Sequence, residues 1–336
     1  MLERMLLSCP SKILRVCFLL TLSVQLFGCE SLIHPSLEPF TKYELKPSDV
    51  SMKAIHARFF GATTIQIDDG ETAIMIDGFF SRPGLAQLLF SNIEPDQSRI
   101  VAALKRGNVS RLAAVLVAHS HYDHAMDSAI VADRTNAVLI GSHSTVNIGR
   151  GYKEWSPERI HIPQCTDMLS LGKFEVQFFE SPHSLDFPYP GQINHPLLTP
   201  SPVSSYKEGG NYSFLLRHVM GNILIHPSAN YKRDLYKHIK AKVVFLSIGL
   251  LGKQPESFVR EYWQEVVRTT GAKIVIPIHW DDLSRPLDKP LLPMPYFADD
   301  FEAAMGILLK MADEDGVAVQ FMPLFDAIDL LKTDRE

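Results

Sequence analysis

Short apolar runs separated by turn-forming residues recur along most of the chain. Apolar runs of about four to eight residues, bounded by Gly, Pro, Asn or Asp, are typical of strands. Longer segments whose apolar residues recur three and four positions apart are typical of helices that pack on one face. The pattern predicts strands over 56–67 (broken at Gly61), 72–78, 115–118, 137–141, 174–179, 209–216, 222–226, 242–248, 273–280 and 317–322. It predicts helices over 85–100, 127–133, 256–270 and 298–313.

Strands and helices alternate along this region, which places the chain in the α/β class. At 336 residues the chain is long enough to bury a large core within one domain. The sequence shows no internal repeat and no second catalytic domain. We therefore predict one folded unit over 55–325, preceded by a polar linker over 30–54 and followed by a tail over 326–336.

The predicted strand at 115–118 runs directly into a dense set of metal-ligating side chains. They are His119, His121, Asp123 and His124. Residues two apart in an extended segment lie on one face, so His119 and His121 can bind the same ion. If the chain then turns into a helix, the next two side chains can reach a second ion beside it. Imidazole and carboxylate suit zinc and similar divalent metals, whereas the alternative is a histidine-rich loop without metal.

This motif resembles that of the metallo-β-lactamase superfamily, and the resemblance extends over about residues 55–325. It implies a four-layer αββα sandwich with two metals at one edge of the paired sheets. His183 and His279, each of which follows a predicted strand, match the remaining histidine ligands of the family. The resemblance thus implies one ion held by the first group and a second ion held by the other: His119, His121 and His183, then Asp123, His124 and His279.

Two positions near the implied metals differ in how far they match the family. Asp77 stands where the family has an aspartate that orients the ligand loop without binding metal, although a simple turn residue is the alternative. Ser228 stands where most hydrolases of the superfamily carry an aspartate that bridges both metals. Losing that carboxylate predicts a weaker second metal. His226 could replace it, but in a strand its side chain points opposite to that of a direct neighbour.

Two proline-containing segments, 184–210 and 285–297, each begin close after an implied metal ligand. Loops this long are usually functional, so we expect both to form walls of a substrate pocket. The candidates for binding an anionic group there are Lys207, Arg285, Lys289 and Tyr296. His143 and His195 are weaker ligand candidates, for which surface, capping or substrate-contact roles are favoured.

Composition adds limits to the partners. The net charge of -5 gives no basic excess, so we expect no nucleic-acid partner. A small-molecule or lipid-like substrate is the expected partner. Of four cysteines, only Cys165 lies within the predicted domain, and a single thiol cannot form an internal disulfide. We expect a structural role for it.

The first 29 residues form a predicted signal segment. A positive region holding Arg4, Lys12 and Arg15 precedes an apolar stretch over 16–27. The stretch leads into Leu26-Phe27-Gly28-Cys29, which resembles a bacterial lipobox. Ordinary signal cleavage or an uncleaved anchor is the alternative, because Phe27 is bulkier than the usual residue there.

A lipidated Cys29 would tether the domain to a membrane surface of the bacterial cell envelope. Glu30 replaces the aspartate that resembles an inner-membrane retention signal, so sorting to the outer membrane is favoured.

The implied function is a metal-dependent hydrolase that uses metal-bound hydroxide on a phosphodiester or lactone, with Asp123 orienting the nucleophile or moving a proton. Zinc, as one or two ions, is the expected metal, and manganese or iron remains open. The closest branch contains phosphodiesterases, phospholipase D-like enzymes and lactonases. The alternatives are a hydrolase of β-lactam-type amides, which also lacks the bridging aspartate, and a non-catalytic metal-binding protein on the same scaffold.

Overall fold

Two sheets of seven strands each form the centre of the computed structural model, which describes residues 33–47, 51, 54–164, 167–185 and 188–332. The predicted signal segment and Cys165 lie outside these residues. The strands are β1 (Ala54–Phe59), β2 (Ile65–Asp68), β3 (Ala73–Ile76), β4 (Ala114–Leu116), β5 (Val138–Ile140), β6 (Ile160–His161), β7 (Met168–Leu171), β8 (Phe174–Glu180), β9 (Tyr212–Arg217), β10 (Ile223–His226), β11 (Val243–Ser247), β12 (Ile274–Ile278), β13 (Ala318–Val319) and β14 (Ala327–Lys332).

Seven α-helical segments lie among the described residues. They are α1 (Leu85–Phe90), α2 (Gln97–Arg106), α3 (Tyr122–Ala125), α4 (Ser128–Arg134), α5 (His143–Tyr152), α6 (Glu256–Trp263) and α7 (Phe301–Asp315). A π-helical segment over Gln264–Arg268 continues α6. None of these helices is long and apolar enough to cross a membrane.

The first sheet has the order β14-β1-β2-β3-β4-β5-β6, and the second has the order β13-β12-β11-β10-β9-β8-β7. The strands from β3 to β6 are parallel, as are those from β10 to β13, while the remaining neighbours pair antiparallel. Parallel strands end at one edge of a sheet, so the turns after β3, β4, β10 and β12 can meet there.

The side chains of β3 and β4 show how the layers stack. Ile74, Ile76 and Leu116 belong to the core between the two sheets, whereas Met75 and Val115 belong to a second core under α2 and α4. This alternation follows from the period of two in a strand. Helices α6 and α7 cover the far face of the second sheet, which completes the predicted four-layer αββα sandwich.

The folded unit extends beyond the predicted limits at both ends. The predicted tail supplies β14, which pairs antiparallel with β1. Within the predicted linker, Glu38–Tyr43 is a 3-10 helix, and its Phe40 packs edge-on against Phe301 at 5.1 Å between ring centroids. Both segments are short and are ordered by partners far away in sequence, which a local pattern does not record.

A buried ion pair joins three loops at the edge where the sheets meet. Arg82 Nη1 donates to Asp281 Oδ2 at 2.7 Å, and both side chains are fully buried. Asp281 Oδ1 also accepts the backbone N–H of Ala62 at 2.7 Å. The pair therefore ties the loops after β1 and β3 to the loop after β12.

We predict that Asp281→Ala lowers the free energy of unfolding by about 3–5 kcal/mol, because it leaves the buried Arg82 charge without its partner. Denaturant unfolding measures this change. Arg233→Ala, which breaks the exposed pair with Glu261, is the control and should change stability very little. Equal effects of the two substitutions would contradict a central role for the buried pair.

Candidate metal centre

The six predicted ligands come from loops at one edge of the sandwich. His119 follows β4 closely, and His121 is the N-cap of α3, whose first turn carries Asp123 and His124. The other two ligands follow β8 and β12 in the second sheet: His183 and His279. The structure thus brings together all the side chains that the sequence assigns to metal.

The first group consists of His119, His121 and His183, whose nitrogens lie within 4.8 Å of one another. The Nε2 atoms of His119 and His183 are 3.1 Å apart. The ring of His121 stands edge-on to both of the other rings, at 4.8 Å between centroids in each case. Three imidazoles therefore converge on one small volume.

The second group consists of Asp123, His124 and His279. His279 Nε2 lies 3.1 Å from Asp123 Oδ2 and 3.2 Å from His124 Nε2. His124 Nε2 lies 3.5 Å from the same carboxylate oxygen. The two groups adjoin, because the rings of His119 and His124 are 3.7 Å apart between centroids.

Asp77 positions the second group without belonging to it. Its Oδ2 accepts from His124 Nδ1 at 2.8 Å, and its Oδ1 accepts the backbone N–H of Ala118 at 2.7 Å. The hydroxyl of Thr63 donates to the same Oδ2. A proton on Nδ1 leaves His124 Nε2 as the atom with a free lone pair, which is what a metal ligand needs.

Burial and crowding set the charge of the histidines. Burial lowers the pKa of His121 to about 4 and that of His183 to about 3, with His121 adding to the shift at His183. The pKa of His119 falls well below its usual range for the same reason. Burial alone would lower the pKa of His124, but the carboxylates of Asp77 and Asp123 raise it.

The donor set fits divalent ions. The neutral imidazoles of His119 and His183, whose Nε2 atoms are 3.1 Å apart, present lone pairs to each other, and a cation between them removes that repulsion. Burial would raise the pKa of Asp123, but His124 and His279 hold it well below its usual range, so the carboxylate is ionised. Its Oδ1 has no hydrogen-bond partner among the described residues.

Backbone geometry holds His279 in place. Its φ of 60° lies in the left-handed region, and its N–H donates to the carbonyl of Ala62 at 2.7 Å. A Cβ on Gly249 would lie 2.7 Å from His279 Nδ1 and 2.7 Å from its carbonyl oxygen. The position therefore requires glycine.

The loop after β10 departs from the carboxylate pattern, as the sequence indicates. Ser228 lies beside the site and donates to Asn211 Oδ1 at 2.9 Å. His226 points away and bonds Ser213, Tyr236 and the carbonyl of Asn230, and burial lowers its pKa to about 4. It belongs to neither ligand group.

A cavity of about 430 Å³ opens onto both ligand groups. Its wall is largely apolar, and the apolar side chains include Leu85, Leu88, Leu250, Leu283 and Met294. The ionisable side chains in the wall are the ligands themselves, His34, Tyr122 and Asp282. No lysine or arginine among the described residues lines it.

The two proline-rich loops contribute unequally to this cavity. The second loop supplies Met294, Pro295 and Phe297 to the wall, whereas the described part of the first supplies Ser184. The first loop instead packs behind the histidine motif, where the carbonyl of Glu208 accepts the N–H of Ser120 at 2.7 Å.

The weaker candidates lie elsewhere. His143 and His195 are exposed and belong to neither group. The four candidates for anion binding do not line the cavity: Lys207, Arg285, Lys289 and Tyr296. Sequence reasoning missed Thr63 and Gly249. Thr63 acts through Asp77 and Gly249 acts through His279, so no motif in the sequence marks either residue.

Residues 57–214 match the family model described as the metallo-beta-lactamase superfamily. A protein named metal-dependent hydrolase from Heliobacterium modesticaldum is 28% identical over 88 residues, which cover 26% of this chain. The match spans 30% of that relative's length.

Solved structures share the fold. A metallo hydrolase from the archaeon Ignicoccus hospitalis superposes with a TM-score of 0.53 at 13% identity, over 82% of this chain and 97% of that one. A diiron β-hydroxylase from Streptomyces venezuelae superposes with a TM-score of 0.50 at 13% identity, over 83% of this chain and 54% of that one. At such identities the likeness concerns the fold alone.

The family match over residues 57–214, the paired sheets and the two ligand groups all point to the metallo-β-lactamase superfamily. The predicted αββα fold is confirmed, and the model of the predicted family matches residues 57–214. The choice of metal, the substrate and the lipidation of Cys29 stay predictions.

We predict that Asp77→Asn weakens metal binding by about 10–100-fold, the usual cost of losing an outer partner of a ligand. The new amide N–H group would donate to His124 Nδ1 and force the proton onto Nε2, which faces the site. Competition with a chromophoric chelator measures the affinity. Asp127→Asn, which alters a buried carboxylate bonded to Phe80 and Ser81, should leave it unchanged.

Proposed function

We propose that this chain is a metal-dependent hydrolase that uses zinc and acts on a phosphodiester or lactone. The observation that carries the proposal is the pair of adjoining ligand groups at the floor of a largely apolar cavity. A divalent ion bound there would lower the pKa of water from about 16 to near 7 and polarise an electrophilic carbon or phosphorus. His119, His121 and His183 would hold one ion, and Asp123, His124 and His279 the second.

Asp123 has a role of its own in this proposal. It lines the cavity, it is ionised, and its Oδ1 is unpartnered among the described residues. This oxygen can accept a proton from the attacking water and orient it toward the substrate. Asp77 keeps His124 oriented throughout, since it touches the ligand rather than the cavity.

The cavity wall favours a weakly charged substrate. Because no described lysine or arginine lines it, the charge of a diester would be met at the ligand groups alone. A diester or lactone carries at most a single negative charge near the reacting atom. A multiply charged sugar phosphate would leave its remaining charges against leucine and methionine side chains, which disfavours that class.

Hydrolysis of a β-lactam-type amide is the second candidate. The observation in its favour is Ser228, which leaves the site without the bridging carboxylate. The breadth of the apolar wall suits either class. Both candidate reactions use the same metal ligands, so only the substrate that is hydrolysed distinguishes them.

The decisive experiment is hydrolysis of bis(p-nitrophenyl) phosphate by the full chain in detergent, loaded with zinc, with a chelated sample alongside. We expect turnover that the chelator abolishes. His121→Ala should lower turnover by more than about 100-fold, since loss of even an outer partner costs about 10–100-fold. His195→Ala, an exposed histidine outside the site, is the matched control.

Metal-dependent turnover that survives His121→Ala would show that the ligand assignment is wrong. Metal bound without turnover of the diester, of a lactone or of a β-lactam would support the non-catalytic alternative. Zinc, manganese and iron are compared in the same assay, because the fold also occurs with two irons.

We also predict that Ser228→Asp raises the occupancy of the second ligand group. A carboxylate beside two cations offsets their repulsion, and a neutral hydroxyl does not. Metal content per chain, measured by plasma mass spectrometry after dialysis, reports the change. Ser228→Asn has the same shape without the charge and should not raise it, so a rise in both variants would contradict the electrostatic reason.

A further inference from the structure

Helix α1 is an apolar helix in which only Leu88 packs, partly buried, against the protein core. Its residues are Leu-Ala-Gln-Leu-Leu-Phe, and none of them is fully buried. Leu85, Leu89 and Phe90 are 44%, 63% and 83% exposed. The segment 83–93 carries no charged residue. Burial against the protein therefore does not explain its composition, and adjoining exposed apolar side chains of this kind mark interaction surfaces.

The helix stands at the cavity mouth. Leu85 and Leu88 line the cavity, while Leu89 and Phe90 continue the same helix. Two further exposed apolar residues line the same cavity from other parts of the chain, Ile33 at 46% and Phe297 at 65% exposed. We call these exposed residues the apolar rim: Ile33, Leu85, Leu89, Phe90 and Phe297.

The rim joins directly to the segment that leads from Cys29. The carbonyl of Ile33 accepts the N–H of Tyr296 at 2.9 Å, and His34 Nδ1 donates to the carbonyl of Pro293 at 2.7 Å. These bonds fix the chain at the mouth of the cavity. Cys29 lies four residues before Ile33, so extended chain places it within about 14 Å of that residue.

We propose that the apolar rim lies against a lipid bilayer and that the cavity takes the apolar part of an amphiphilic substrate directly from the membrane. The inference rests on the proposed function for the reaction itself. It adds the class of substrate, a membrane lipid whose ester or diester group reaches the ligand groups while its chains contact the cavity wall.

The position of the predicted anchor favours a bilayer over a second copy of this chain. Acyl chains on Cys29 would bring the cavity mouth within one short segment of the membrane surface. Uncharged leucine and phenylalanine side chains enter the acyl boundary readily, and Lys253, which donates to the carbonyl of Phe297, is placed to meet lipid phosphates.

The first test uses tryptophan as a depth reporter. Phe90→Trp is introduced into the full chain and reconstituted with vesicles of phosphatidylcholine and phosphatidylglycerol, in which part of the phosphatidylcholine carries brominated acyl chains. Val219→Trp is the matched control. Val219 is 92% exposed and sits in the hairpin between β9 and β10, at the opposite end of β10 from the ligand groups.

We expect bromine to quench the added emission of Phe90→Trp at least twofold more than that of Val219→Trp, relative to the unsubstituted chain. The readout needs no turnover, so it is repeated with His121→Ala and should not change. Equal quenching at both positions would overturn the proposal. The proposal would also be overturned if the rim were buried in a dimer interface and Leu89→Asp/Phe90→Asp converted the dimer to a monomer.

The second test distinguishes a role of the rim in membrane access from a role in the hydrolytic reaction itself. Leu89→Asp/Phe90→Asp should lower turnover of a vesicle-embedded phosphatidylcholine at least tenfold, and leave turnover of water-soluble bis(p-nitrophenyl) phosphate unchanged. Val219→Asp should change neither. If the soluble diester is not hydrolysed by any variant, the proposed reaction fails while the quenching result still decides the rim. Equal loss on both substrates would contradict a role in the membrane.

Discussion

The carboxylate of Asp77 is the constraint on which the ligand site depends. One oxygen accepts the backbone N–H of Ala118, just after β4, and the other accepts from the ring of His124. One buried carboxylate therefore fixes both the start and the end of the histidine motif. Asp77 itself has a φ of 59°, which an L residue adopts only when its surroundings hold it there. The bonds from Thr63 and Ser128 to this residue supply that support.

The second sheet completes the site through a separate set of constraints. His279 reaches the centre because Ala62 accepts its N–H and because Gly249 leaves room for its ring. The Arg82–Asp281 pair links the same loops in the buried interior. Neither sheet alone carries a complete ligand group, since His183 and His279 come from the second and the others from the first. Assembly of the metal centre is therefore coupled to packing of the sandwich.

The cavity gives this site its chemical character. Its wall is largely apolar, its ionisable groups are mainly the ligands, and exposed apolar side chains lie at its mouth. The charged and tyrosine side chains that are close to the ligands in sequence do not line the cavity. Arg285 binds the carbonyl of Pro290, and Tyr296 binds Glu302. A charged residue that is close in sequence to a ligand need not face the substrate.

The sequence by itself determined the class of fold, the six clustered candidate ligands and the absence of a carboxylate at Ser228. Strand period, helix period and the spacing of His119 to His124 are local properties, which can be recognised directly in the amino-acid sequence.

Only the tertiary structure decided which loop walls the cavity, that β14 and the helix over Glu38–Tyr43 belong to the folded unit, and that no residue of α1 is fully buried. These features depend on partners far away along the chain. A strand of six residues such as β14 gains its stability by pairing with β1. The sequence alone does not distinguish an exposed leucine from a buried one. The pattern of a single sequence does not record such long-range contacts, because they depend on how the folded chain packs.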